Sequence, residues 1–163
     1  MLFLTPITLL ISGVQIVGVF DSLFGGMERA KKLSPPEAFA GILIAASACD
    51  GHISDEEAAN LSTAVGRMRL FQKVNDKQFG QVIDKLMGIL KKKGPDVLLE
   101  GCCQSLPKDL SVSAFANACN IVLADGVVDS DEKEFIEKLR SELEVEPATA
   151  KAIAQVMVIK NKG

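Results

Sequence analysis

From Ser34 onward, apolar side chains recur at helical spacing, and the breaks between runs fall on proline, glycine and Asp-Gly pairs. Ser34-Pro35-Pro36 opens the first run, and proline suits a first helical turn because no N–H is needed there. The spacing predicts a helix from about Pro36 to Cys49, apolar almost all round and therefore central. It stops at Asp50-Gly51, where glycine can take the left-handed conformation that ends helices. Ser54 begins a second helix reaching about Leu70, with Glu57 at capping-box spacing. Asn75 caps a third, Asp76 to Lys93, with Phe79, Val82, Ile83, Leu86, Ile89 and Leu90 along one face. Gly94-Pro95 ends it. A fourth helix runs from Asp96 to about Ser105, and Pro107 marks the break. A fifth, from about Lys108 to Ala124, is again mostly apolar and again stops at Asp-Gly, Asp125-Gly126. Asp129 opens a sixth, with Glu132 repeating the cap spacing. A seventh follows Pro147 to about Lys160. No strand pattern is present. The expected fold is all-α, a compact bundle of about seven helices.

Two of these segments repeat each other. ACDGHISDEE at 48–57 aligns with ADGVVDSDE at 124–132 when the Asp-Gly pairs are superimposed, a shift of 75 residues from Asp50 to Asp125. Ile53 then matches Val128, Ser54 matches Asp129, and Glu57 matches Glu132. Each copy reads as a buried apolar helix, an Asp-Gly turn, one apolar residue and a capped acidic helix. Two helical hairpins related by a pseudo-two-fold are expected.

Composition supports helices and narrows the partners. Hydrophobic residues are 48% of the 163-residue chain but aromatics only 5%, with no Trp or Tyr. Such a core suits helix packing rather than a sheet. The formal net charge is -3 and the pI about 5.2. The one cationic run, Lys91-Lys92-Lys93, falls where a helix ends and complements its dipole. Nucleic acid is not an expected partner. The cysteines Cys49, Cys102, Cys103 and Cys119 include no C-x-x-C pair, and the single His52 makes no zinc pattern with them. Reduced, packed thiols are expected, although the vicinal pair Cys102-Cys103 raises metalloid chemistry as an alternative.

Residues 2–20 carry no charge and are long enough to span a bilayer. Pro6, Gly13, Gln15 and Gly18 interrupt them, and no basic segment precedes them. If the stretch inserted, Arg29, Lys31 and Lys32 would leave the remaining chain on the cytoplasmic side. The alternative is a start codon placed too far upstream. In that case the protein begins near Gly18 with an amphipathic lead bearing Phe20, Leu23, Phe24 and Met27. The domain reading is thus 1–33 as apolar extension plus lead, and 34–163 as the helical domain.

The candidate chemistry sits at the two turns. Asp50, Asp55, Glu56 and Glu57 crowd the first, and Asp125, Asp129, Asp131 and Glu132 the second. Capping accounts for much of this, since acidic side chains satisfy and complement helix N-termini. Crowded carboxylates also repel, and a hard cation with oxygen ligands, calcium or magnesium before zinc, would compensate. Asp50 with Glu57 and Asp125 with Glu132 are the favoured ligand pairs; Asp55, Glu56, Asp129 and Asp131 are secondary. The spacing is not an EF-hand, because counting from Asp125 places glycine second and Ile136 twelfth. No Ser/His/Asp set, phosphate loop or cofactor fingerprint is present, so no enzyme is expected.

Together ACDGHISDEE and ADGVVDSDEK, on all-helical sequence, resemble the TerB family of tellurite-resistance proteins, in which a buried helix ending in [AS]-D-G precedes an acidic capped helix, twice. The lead GVFDSLFGG is also similar, so the resemblance covers about residues 18–158. It implies a compact bundle of roughly seven helices, a metal site at the paired turns, and a bacterial stress-response role. The expected location is the cytoplasm, with the inner face of the membrane as an alternative, beside other stress-response or membrane-associated proteins. It implies no known catalytic activity. The N-terminal extension and Cys49 before the first Asp depart from the family pattern.

Overall fold

In the computed structural model, residues 32–49, 51, 53–124 and 128–162 are described, without the side chains of residues 55–57, 59 and 60. The chain divides into two units, Met1–Lys32 and Leu33–Gly163. The uncharged segment 2–20 and the amphipathic lead lie outside the described residues. Among the described residues no helix is long and apolar enough to cross a membrane.

The second unit is all helical. Its elements are α1 (Pro35–Ser47), α2 (Asp55–Val65), α3 (Asp76–Lys93), α4 (Pro95–Ser105), α5 (Ser111–Val122), α6 (Ser130–Glu142) and α7 (Pro147–Lys160). Single 3₁₀ turns at Arg69–Phe71 and Lys108–Leu110 separate α2 from α3 and α4 from α5. The bundle of about seven helices is as expected. Two boundaries differ from the periodicity. The second helix stops at Val65 rather than near Leu70, and the fifth starts at Ser111 rather than Lys108. In both places a tighter i→i+3 turn carries the apolar pattern past the end of the α-helix.

Local chemistry explains the helix ends. Glu37 Oε2 accepts from the Ser34 N–H at 2.7 Å and its hydroxyl at 2.8 Å, ahead of Pro35 and Pro36. Glu37 Oε1 also accepts from Lys85 Nζ at 2.6 Å, tying the start of α1 to α3. Burial of Glu37 pushes its pKa up. The hydrogen bonds from Lys85 and Ser34 outweigh this and hold the carboxyl below its ordinary value. Asn75 caps α3 by accepting from the Gln78 N–H at 2.9 Å, while Gln78 accepts from the Asn75 N–H at 3.0 Å. Gly51 has φ +93° and Gly94 φ +84°, the left-handed region that L side chains avoid.

Helix α1 is the axis of the core. Every residue from Ala38 to Ala46 is buried. It packs on α4, α5, α3, α2 and the Arg69–Phe71 turn. Phe39, Phe71 and Phe79 meet edge to face, with ring centres 6.0 and 5.8 Å apart. Gly41 permits the close approach of α4, since a Cβ there would lie 2.3 Å from the Cys102 sulfur.

The repeat extends one helix beyond the Asp-Gly motif. Hairpin α1–α2 with α3 forms one copy, and hairpin α5–α6 with α7 the other. Helices α1 and α5 pack together between them. Helix α4 connects the copies and has no counterpart among the described helices.

Candidate functional site

Most of the first acidic turn, and Asp125 of the second, lie outside the described residues. This applies to Asp50, Asp125, His52 and the side chains of Asp55, Glu56 and Glu57. Asp129, Asp131 and Glu132 are described. Asp129 Oδ1 accepts from the Glu132 N–H at 2.9 Å, and Glu132 Oε2 accepts from the Asp129 N–H at 2.9 Å. This is the reciprocal cap anticipated from the spacing. It occupies one oxygen of each carboxylate in those bonds. Asp131 is exposed and accepts from the Ser130 hydroxyl at 3.3 Å.

The flank of the first junction and the start of α6 line one cavity of about 380 Å³. Ala48, Cys49 and Gly51 contribute from the first copy, Asp131, Glu134, Phe135 and Lys138 from α6, and Pro95 and Asp96 from α4. Lys138 Nζ forms an ion pair with Asp96, linking α6 to α4. The hydrogen bond that Lys138 donates to Asp96 is the main reason its ammonium is held above its ordinary pKa. Of the described acidic residues in the second turn, Asp131 faces this cavity, whereas Asp129 and Glu132 do not line it. Sequence reasoning passed over Asp96, Glu134 and Lys138. A signal did exist for each: Asp96 sits in the first turn after Gly94-Pro95, and Glu134 stands four residues before Lys138. Among the described residues no group of three or more His, Cys, Asp or Glu side chains is gathered as a metal site.

The vicinal cysteines point into the core. Cys102 and Cys103 are buried, as is Cys119, while Cys49 is half-buried in the turn after α1. Burial pushes each of the three buried thiols up to about 12. For Cys102 the neighbouring Cys103 and Glu37 add to this, against a smaller opposing effect of Lys85. At neutral pH these groups are thiols, not the thiolates that attack or bind metals.

Two further grooves occupy equivalent places in the repeat. The first, between α2 and α3, has a volume of about 570 Å³ and is lined by Ser62, Asp76, Phe79, Gly80, Ile83, Asp84, Met87, Gly88 and Lys91. The second, between α6 and α7, has a volume of about 750 Å³. Aligning the caps Asn75 and Glu146 places Gly80, Ile83, Asp84, Met87 and Gly88 on Lys151, Ala154, Gln155, Val158 and Ile159, all of which line the second groove. The same alignment puts Phe79 on Ala150. Within the lining the exchange runs both ways: Ala154 stands where α3 has Ile83, while Lys151 and Ile159 stand where it has Gly80 and Gly88.

Comparison with protein-family models, with curated proteins and with solved structures found no match to this chain.

Proposed function

We propose that the protein is a non-catalytic, TerB-like stress-response domain that binds a divalent cation, calcium or magnesium before zinc, at its acidic turns. The observation that carries this reading is the cavity shared by Cys49 and Gly51 beside the first junction and by Asp131 and Glu134 of α6. Asp96 joins them, and among the described lining residues Lys138, paired with Asp96, is the one cation beside three carboxylates. Like charges at such a place favour a bound cation, and carboxylate oxygens suit a hard one. Asp50, Glu57, Asp125 and Glu132 would supply further oxygens from the two turns. The reciprocal cap leaves Asp129 and Glu132 one carboxylate oxygen each outside its two bonds. As the resemblance implies, the domain would work on the cytoplasmic side with stress-response or membrane-associated proteins.

Thermal unfolding of the full chain in calcium, magnesium or zinc tests the reading, because a ligand selective for the folded state raises Tm. Asp125→Asn and Asp131→Asn should each reduce that rise. An unchanged Tm in all three ions at millimolar concentration would sink it.

A second reading, an interaction module, is favoured by a different observation. Ile159 of α7 is 71% exposed and lines the apolar α6–α7 groove. An isolated surface isoleucine is ordinary, but one at the edge of an open apolar groove marks a contact surface.

A further inference from the structure

We infer that the α6–α7 groove is a docking site for an amphipathic helix of a partner protein, one with bulky apolar anchors flanked by carboxylates. The inference goes beyond cation binding and does not depend on it.

The repeat shows what the groove lacks. In the first copy Phe79 and Ile83 of α3 are buried, as are Ala58 and Leu61 of α2. In the second copy the matching residues of α7 are Ala150 and Ala154, and those of α6 are Lys133 and Ile136. Lys133 is exposed and Ile136 only half-buried. The groove has Ala154 where α3 has Ile83, and Ala154 and Val158, at i and i+4 spacing, form part of its open apolar floor. A helix from another molecule presents side chains at that spacing.

Charge selects the kind of helix. Lys133 and Lys151 stand on opposite sides of the groove, one on α6 and one on α7. Neither forms an ion pair among the described residues. Glu137, the one carboxylate among the described lining residues, pairs with Arg140 Nε at 3.1 Å. The groove therefore offers two uncompensated ammonium groups around an apolar floor, in a chain whose net charge is -3. Carboxylates flanking an apolar face complement it, and lysines in their place would be repelled.

Two other occupants fit less well. A bilayer surface is flat on this scale, whereas the groove is a recess between two helices. A second copy would need an exposed face combining bulky anchors with carboxylates. Among the described residues the exposed large hydrophobics are Val97, Val112, Val156 and Ile159. Of these only Val97 stands between acidic neighbours on its helix, Asp96 and Glu100, and a lone valine does not supply two anchors.

The test uses the full chain with chelator present, so that its outcome is separate from cation binding. The probe is a fluorescein-labelled helical peptide of about 15 residues with Phe and Leu at i and i+4 and glutamates beside them. A matched peptide carries lysines in place of the glutamates, and phosphatidylglycerol vesicles are the third arm. Saturable binding of the glutamate peptide is expected, weakened roughly tenfold or more by K133E/K151E. That variant should bind the lysine peptide instead. Ile159→Asp, at an exposed position that does not threaten folding, should also weaken binding. Equal binding of both peptides, indifference to the charge reversals, binding to vesicles alone, or self-association without peptide binding would each overturn the inference.

Discussion

Helices α1 and α5 hold the same place in the two copies, yet nine consecutive residues of α1 are buried while α5 buries one stripe, Ser111, Ala114, Phe115, Ala118, Cys119 and Val122. The alignment that superimposes the Asp-Gly pairs sets Ile42 against Asn117 and Ala45 against Asn120. Asn117 Nδ2 donates to the Ser113 carbonyl at 2.8 Å, and Asn120 Oδ1 accepts from Lys160 Nζ at 2.7 Å. The cause is α4. It covers the far face of α1, and no described helix covers the matching face of α5. Gly41 marks the contact, because a side chain there would strike Cys102, whereas its counterpart Ala116 is half-buried. One local pattern thus serves a core axis in one copy and an amphipathic helix in the other.

The strongest way to break this comparison is to exchange the residues that express it. Ile42→Asn should cost about 3–5 kcal/mol, from the lost apolar burial together with an unsatisfied amide in the core. Asn117→Ile, the reverse exchange, should stay within about 0.5 kcal/mol. Urea unfolding of the two variants measures both, and similar losses would mean that α1 and α5 are buried alike.

Next in size is the α1–α4 approach. Gly41→Ala should lower stability by about 1–3 kcal/mol through overpacking against Cys102, despite the better helix propensity of alanine. Ala116→Gly, at the equivalent place on α5, should cost only about 1 kcal/mol, from propensity alone. If Gly41→Ala proved stabilising, the close approach of α4 would be wrong.

The third helices offer a smaller test. Ala154→Ile restores in α7 the residue that α3 carries at Ile83, and should fill part of the α6–α7 groove. A gain of about 0.5–2 kcal/mol in thermal unfolding is expected. The same variant should lose the glutamate peptide, since the anchor pocket is then occupied from within.

The smallest effect concerns the start of α1, where Glu37 joins Ser34 to Lys85. A carboxyl whose folded pKa lies below its unfolded one contributes stability that is present above the unfolded pKa and lost as pH falls through the folded value. Acid unfolding below the ordinary carboxylate range should therefore weaken the wild type, and Glu37→Gln should flatten that part of the profile. Glu37 is only partly shielded from water, so the change in slope is modest. No change in slope would remove Glu37 from the account of acid stability.

Read from the sequence alone, the helices, their order and most of their ends were legible, because proline, glycine and capping side chains act over three or four residues. The caps at Asn75 and at Asp129 with Glu132 came from spacing, and the left-handed Gly51 from its place after an apolar helix. The two junctions stood out as acidic for the same local reason. What the sequence did not disclose is which carboxylates share a space. Asp96, Asp131 and Glu134 line one cavity beside Cys49 and Gly51 only because α4 and α6 converge on the end of α1. Nor did it reveal that the third helices differ in what they leave open. Phe79 and Ile83 line one groove and Ala154 the other, and that contrast depends on which faces two distant helices turn toward each other. Caps and helix ends answer to neighbours along the chain, whereas burial, shared charge and open grooves answer to neighbours in space.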